Sequence, residues 1–144
     1  MNNAFRVTNI GAKYKNNSYL YGQCFMFTHV QLGGGGVDAT GLPYAVDASR
    51  ITLVKPITQQ LAIETYATLS IPNPRKTTIV LNLASELAGT FSQLGIFGEV
   101  IYCNNPSDSA LIGTRFLYCL CNFTEVAKSI GVAKSLTFSL NTAL

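Results

Sequence analysis

Ser135-Leu136-Thr137-Phe138-Ser139-Leu140-Asn141 sets Leu136, Phe138 and Leu140 on one side of an extended chain, with small hydroxyls and an amide on the other. Such a period of two marks a strand with one buried and one wet face. Similar runs precede it. Cys24 to Leu32 reads as a strand stopped by Gly33-Gly34-Gly35-Gly36, and Ala62 to Ser70 as another. Thr77 to Leu83 keeps Ile79, Leu81 and Leu83 in phase, and Pro72-Asn73-Pro74-Arg75-Lys76 separates it from the run before, which predicts an antiparallel pair. Phe91 to Tyr102 is longer, and Gly95 and Gly98 within it predict a bulge or the close approach of another backbone. Thr114 to Phe123 returns from the exposed connection Asn104 to Ser109. About seven strands at this spacing predict an all-β, mainly antiparallel fold, a β-sandwich or open β-barrel with one or two short helical turns.

The other segments read as connections. Phe5 to Gly11 is an extended lead-in, Tyr14-Lys15-Asn16-Asn17-Ser18 a turn, and Asp47-Ala48-Ser49-Arg50 the cap of a single helical turn. Glu125-Val126-Ala127-Lys128 is a bend or turn leading into the last strand. At 144 residues and 48% hydrophobic, the chain suffices for one domain, 1–144, with its own core. Within it, 1–12 is expected to form an extended N-terminal arm and 33–47 a Gly-rich loop.

Charged residues make up 12% of the chain, about half the usual share of roughly 25%. A surface this poor in charge points to one covered by neighbours. The net charge of +3 comes from scattered residues, only Arg75 and Lys76 being adjacent, so no stripe follows a phosphate backbone and no nucleic-acid partner is expected. Asn16 to Val37 is free of Asp, Glu, Lys and Arg, yet its Asn, Gln, His and Gly residues rule it out as a membrane span. Met1 to Arg6 lacks the basic-then-apolar layout of a signal peptide.

No grouping of residues predicts catalysis. The seven carboxylates, Asp38, Asp47, Glu64, Glu86, Glu99, Asp108 and Glu125, are spread along the chain, so spacing names no acid pair. Cys24 and Cys103 stand alone and Cys119 and Cys121 lie two apart in an apolar run, which is wrong for paired zinc knuckles. The four cysteines are therefore read as free thiols, buried and in a reducing compartment. His29, mid-strand beside Phe27, reads as a structural, hydrogen-bonded residue. The four glycines lack a following G-K-[ST] and a helix, and so read as a flexible or left-handed loop. Neither a metal nor a cofactor is expected.

Four stretches occur in a recognisable order: Phe27-Thr28-His29-Val30-Gln31-Leu32-Gly33-Gly34, Gln93-Leu94-Gly95-Ile96-Phe97-Gly98, Phe116 to Phe123, and Leu136-Thr137-Phe138-Ser139-Leu140. In this order they resemble the N-terminal domain of bacteriophage tail-collar fibre and baseplate proteins. Gly34 and Gly35 stand where that family usually has an acidic residue, and Gln93 where it usually has Glu. Chains of that family continue into a long repetitive shaft, whereas this sequence stops at Leu144. The resemblance implies a single-domain structural component of a virion, assembled in the bacterial cytoplasm and serving in the tail, collar, baseplate or fibre attachment. Its partners would be other virion structural proteins, and the low charge and many small polar residues predict that the chain also associates with copies of itself, as a trimer or a ring.

Two other functions fit the same residues. The first is a capsid decoration protein clamping shell subunits. The second is a small carbohydrate-binding sandwich using Tyr14, Tyr19, Tyr21 and Tyr44, against which the absence of Trp counts. For assembly, the expected contact residues are Phe5, Val7 and Ile10 in the arm and Val37, Leu42 and Tyr44 in the loop. They are apolar groups in segments too poor in apolar residues to form a core, so both segments are expected to be mobile until neighbours order them.

Overall fold

The computed structural model describes residues 5–73 and 75–141. Two antiparallel sheets face each other across one main core, as the alternating strands predict. The larger sheet has the order β1 (Arg6–Val7), β8 (Arg115–Lys128), β7 (Gly89–Cys103), β2 (Gln23–Gly34), β3 (Lys55–Pro56), with β4 (Leu61–Ala62) also on β2. The smaller is β5 (Ala67–Asn73), β6 (Lys76–Leu83), β9 (Lys134–Asn141). The expected β5–β6 hairpin is present, with Leu69 opposite Ile79. The alternating stretch in β9 pairs with β6 along its whole length, setting Leu136, Phe138 and Leu140 beside Leu81, Ile79 and Thr77. Phe138 packs edge-on against Phe123 of the other sheet at 5.2 Å, so aromatic contact holds the layers together.

Residues 5–21 differ from the expectation. Phe5 is buried against Phe138 at 6.2 Å, β1 pairs with β8, and Asn9–Tyr21 is a helix, α1. The predicted turn at Tyr14 to Ser18 lies in the middle of that helix. Two caps explain it. The Thr8 hydroxyl accepts from Gly11 N at 2.9 Å and donates to Leu117 O at 2.6 Å, and Gly22 ends the helix in the left-handed region at φ +65°. Gly11 lets α1 lie against β8, since a Cβ there would stand 2.3 Å from Tyr118 O. Tyr14 then stacks on Phe116 at 4.1 Å. An extended arm is therefore not what residues 5–12 form; Met1 to Ala4 lie outside the described residues.

Smaller differences have local causes. Ala62 to Ser70 is interrupted by a short helix, α2 (Ile63–Tyr66), which buries Ile63 before β5 begins. The bend expected at Glu125 to Lys128 continues as strand, with Val126 opposite Phe91 and the buried Lys128 ammonium donating to Leu87 O and Ser129 O. The exposed connection after β7 contains a 3-10 helix, Pro106–Leu111. In β7 the register shifts at Phe91/Gln93 and at Ile96/Phe97, the latter between Gly95 and Gly98 where a bulge is expected, and the two glycines make room for the side chains of Leu53 and Phe116 rather than for a backbone.

Candidate assembly surface

β7 is buried without interruption from Phe91 to Gly98. A strand covered on one face alone would alternate, so something also covers the side turned away from the main core. It is the segment between β2 and β3. Val46 and Leu53 descend from it onto Phe97, Leu117 and Leu120, forming a second, smaller core.

Polar side chains fasten the segment to the sheet. Ser92 Oγ accepts from Gly36 N at 2.9 Å, and Gln93 Oε1 accepts from Val54 N at 2.8 Å. Gln93 Nε2 donates to Asn122 Oδ1 at 2.8 Å, and Asn122 Nδ2 donates to Tyr44 O at 3.0 Å. Arg6 adds a bond to Val46 O at 3.0 Å, and Asn9 N one to Ala48 O at 2.7 Å. Buried amides satisfied in this way specify a single placement of what they hold.

The segment also orders itself. Gly36 to Tyr44 closes as a small hairpin, with a Val37–Pro43 bridge, Tyr44 N donating to Gly36 O at 2.9 Å and Asp38 N donating to Leu42 O at 2.9 Å. Asp38 Oδ1 accepts from Thr40 Oγ1 at 2.6 Å, Thr40 N at 2.8 Å and Leu42 N at 3.0 Å, an Asx-turn arrangement. These bonds, led by that from the Thr40 side chain, hold the Asp38 carboxyl below its ordinary pKa. Asp47 repeats the device, accepting from Ser49 Oγ at 2.7 Å and Ser49 N at 2.9 Å, and is lowered for the same reason. Of the four glycines, Gly33 and Gly34 finish β2 and Gly35 is left-handed at φ +79°. At Gly36 a Cβ would stand 2.2 Å from Ser92 O. The expected mobile loop is thus a pinned one.

Large apolar side chains are left pointing outward: Leu42 is 65% exposed, Tyr44 55% and Ile51 67%, and Val54 and Ile57, further along the chain, are exposed as well. Of the six expected contacts, Leu42 and Tyr44 sit on this surface and Val37 is half-buried at the base of the hairpin. Phe5 is in the main core, and Val7 and Ile10 pack against it, apart from that group. Ile51, Val54 and Ile57 are not among the expected contacts, although their spacing of three along a stretch without strand or helix pattern is a signal in the sequence. The four tyrosines do not gather, because Tyr14 is buried on the inner face of α1 while Tyr19 and Tyr21 lie exposed at the helix end.

The groups considered for chemistry have structural surroundings. His29 Nδ1 lies 2.8 Å from Thr28 Oγ1, and burial, then the charge of Arg115, lowers its pKa against the opposing pull of Glu99 and Glu64. Arg115 pairs with Glu99 at 3.3 Å and donates to Gln60 Oε1 at 3.0 Å. All four cysteines are free thiols; Cys103, Cys119 and Cys121 are buried and Cys24 is partly so. Burial pushes Cys121 up to about 12 and Cys119 well above its ordinary value. No family model matches the chain, and no curated protein or solved structure does.

Proposed function

We propose that this protein is a bacteriophage virion structural component of the tail, collar or baseplate, acting by docking onto another virion protein through the Leu42–Ile57 face. The observation that carries this reading is the pinned segment itself. It presents Leu42, Tyr44, Ile51 and Val54 to solvent, with Ile57 exposed just after β3, while Ser92, Gln93 and Asn122 hold its backbone in place. Exposed apolar groups on a mobile loop would lose much of their contact energy to ordering, at roughly 1–2 kcal/mol per residue. On a fixed loop that cost is met in folding, as in preorganised interfaces. Several large apolar side chains exposed along one fixed segment, on a chain poor in charge, are what a protein-binding surface offers. The virion assignment draws on the ordered resemblance of the strands around Leu32, Ile96, Leu120 and Phe138 to the tail-collar domain.

The test replaces Leu42, Tyr44 and Ile51 together by Asp and complements a phage lacking the native gene. The variant is expected to keep its circular dichroism and to be lost from purified particles. Normal incorporation of the folded variant would overturn the assignment of the docking face.

A further inference from the structure

A cavity of about 650 Å³ opens between β1 and one face of α1. Ala12, Lys15 and Tyr19 line it from the helix, at intervals of three and four that keep them on one side. Phe5, Arg6 and Val7 line it from the strand and the residue before it. Small-molecule sites have volumes of roughly 300–1,000 Å³, carbon-rich walls and a few polar groups that fix the ligand's orientation. This cavity has all three. Phe5, Val7, Ala12 and the Tyr19 ring supply the carbon, and Arg6, Lys15 and the Asn16 amide supply the polar groups.

Charge decides the class of ligand. Arg6 comes from the strand and Lys15 from the helix, and none of the described lining residues is acidic. Arg6 donates through one guanidinium nitrogen to Val46 O, a neutral carbonyl, at 3.0 Å, and makes no ion pair among the described residues. Asp47 feels the Arg6 charge only weakly, and its Oδ1 is held by Ser49. The other guanidinium N–H groups remain for a ligand, and that fork fits a carboxylate through two parallel hydrogen bonds. A neutral apolar molecule would desolvate both cations without pairing them. A bare anion would leave the carbon walls wet. We propose that this cavity binds a small carboxylate carried on an apolar body, of the kind a medium-chain fatty acid presents, with the carboxylate on Arg6 and the body against Phe5, Val7 and Tyr19. The site shares no residue with the Leu42–Ile57 face and does not depend on the virion assignment.

Two-dimensional NMR of the full chain, titrated with octanoate, tests the site. Saturable shifts are expected at the amides of Val7, Ala12 and Tyr19. Octanol, which keeps the body and lacks the charge, and acetate, which keeps the charge and lacks the body, should each bind at least about tenfold more weakly, a change of roughly 1.4 kcal/mol. Arg6→Gln should bring octanoate down to the level of octanol. Because Arg6 also holds Val46 O, circular dichroism checks the fold of that variant, and Lys15→Gln repeats the comparison from the helix side. Tyr19→Ala, at a position 76% exposed, should weaken octanoate and octanol alike. Shifts that fail to saturate or that fall elsewhere would overturn the inference. So would octanol matching octanoate, which would assign the cavity to an uncharged apolar occupant, or acetate matching it, which would assign the cavity to a bare anion or a partner's acidic side chain. Full octanoate affinity in the folded charge variants would equally contradict it.

Discussion

Gln93 and Asn122 join through a 2.8 Å bond from Nε2 to Oδ1, and this pair of side chains fixes two distant points of one surface segment. Gln93, 1% exposed, takes the N–H of Val54, while Asn122 gives its own to the carbonyl of Tyr44. Between those points lie Val46 and Leu53, the two apolar residues that the segment buries. Polar fastening and apolar cover thus secure the same stretch of chain.

Replacing Gln93 by Leu leaves the Val54 amide and the Asn122 carbonyl without these partners inside the structure. Loss of about 1–3 kcal/mol of unfolding free energy is expected, the usual cost of an orphaned buried group. Chemical denaturation measures the loss, and hydrogen exchange at Gly36 and Val54 should accelerate more than exchange in β6. A variant as stable as the native chain would show that water replaces the amide at no cost.

Thr8 is fully buried and caps α1 while bonding to β8. Thr8→Ala should cost about 1–2 kcal/mol, at the upper end for helix caps, and Thr8→Ser should recover most of it. Deleting residues 1–12 removes Phe5 from the core, β1 and the helix start together, so the expected outcome is loss of the folded state by circular dichroism. A truncated chain that folds normally would contradict the placement of Phe5 against Phe138.

Legibility in the sequence followed burial on one face. Ile79, Leu81 and Leu83 in β6, and Leu136, Phe138 and Leu140 in β9, alternate because the other side of the small sheet is wet. Phe91 to Gly98 is recognisable as a strand, but its burial on both sides depends on Val46 and Leu53, residues far away in sequence. α1 buries only Gly11 and Tyr14, so no apolar stripe announces it, and Asn16, Asn17 and Ser18 are weak helix formers. Its caps were readable: Thr8 before the helix and Gly22 after it are start and stop signals. In the surface segment Leu42 and Tyr44 stood out among glycines. The anchors Ser92, Gln93 and Asn122 lie in other strands, and only the fold brings them to it.

The buried thiols set an alkaline limit to stability. Cys119 and Cys121 ionise only far above the ordinary thiol pKa of about 8.5, which applies to the unfolded chain. Tyr118, pushed up to about 12 by burial, adds to the effect. Between those pH values the folded state holds more protons than the unfolded one, so unfolding free energy falls as pH rises. Their stabilisation is complete below about pH 8 and is lost progressively towards about pH 12. Urea midpoints from pH 8 to 11 should decline, and the Cys119→Ala/Cys121→Ala double variant should decline less steeply. Equal slopes would locate the alkaline sensitivity elsewhere.

Asp38 offers a way to separate order in the hairpin from its apolar surface. Its carboxylate accepts from Thr40 and Leu42 and contributes no apolar contact of its own. Replacing it by Ala therefore leaves Leu42 and Tyr44 present but removes what shapes the turn beneath them. Hydrogen exchange at Thr40 and Leu42 should rise and incorporation into particles should fall, while the global denaturation midpoint stays close to native. Asp38→Asn keeps a side-chain oxygen acceptor and should retain most of both. Because hydrogen bonding lowers the Asp38 pKa, the turn is favoured above the ordinary carboxyl pKa of about 3.9 and weakens as pH falls through the lowered value. Titration of the carboxyl by NMR should show that lowered value in the native chain. An ordinary value would contradict the hydrogen bonds to the carboxylate, and full incorporation of the Ala variant despite a disordered turn would contradict the proposal that a preformed hairpin docks.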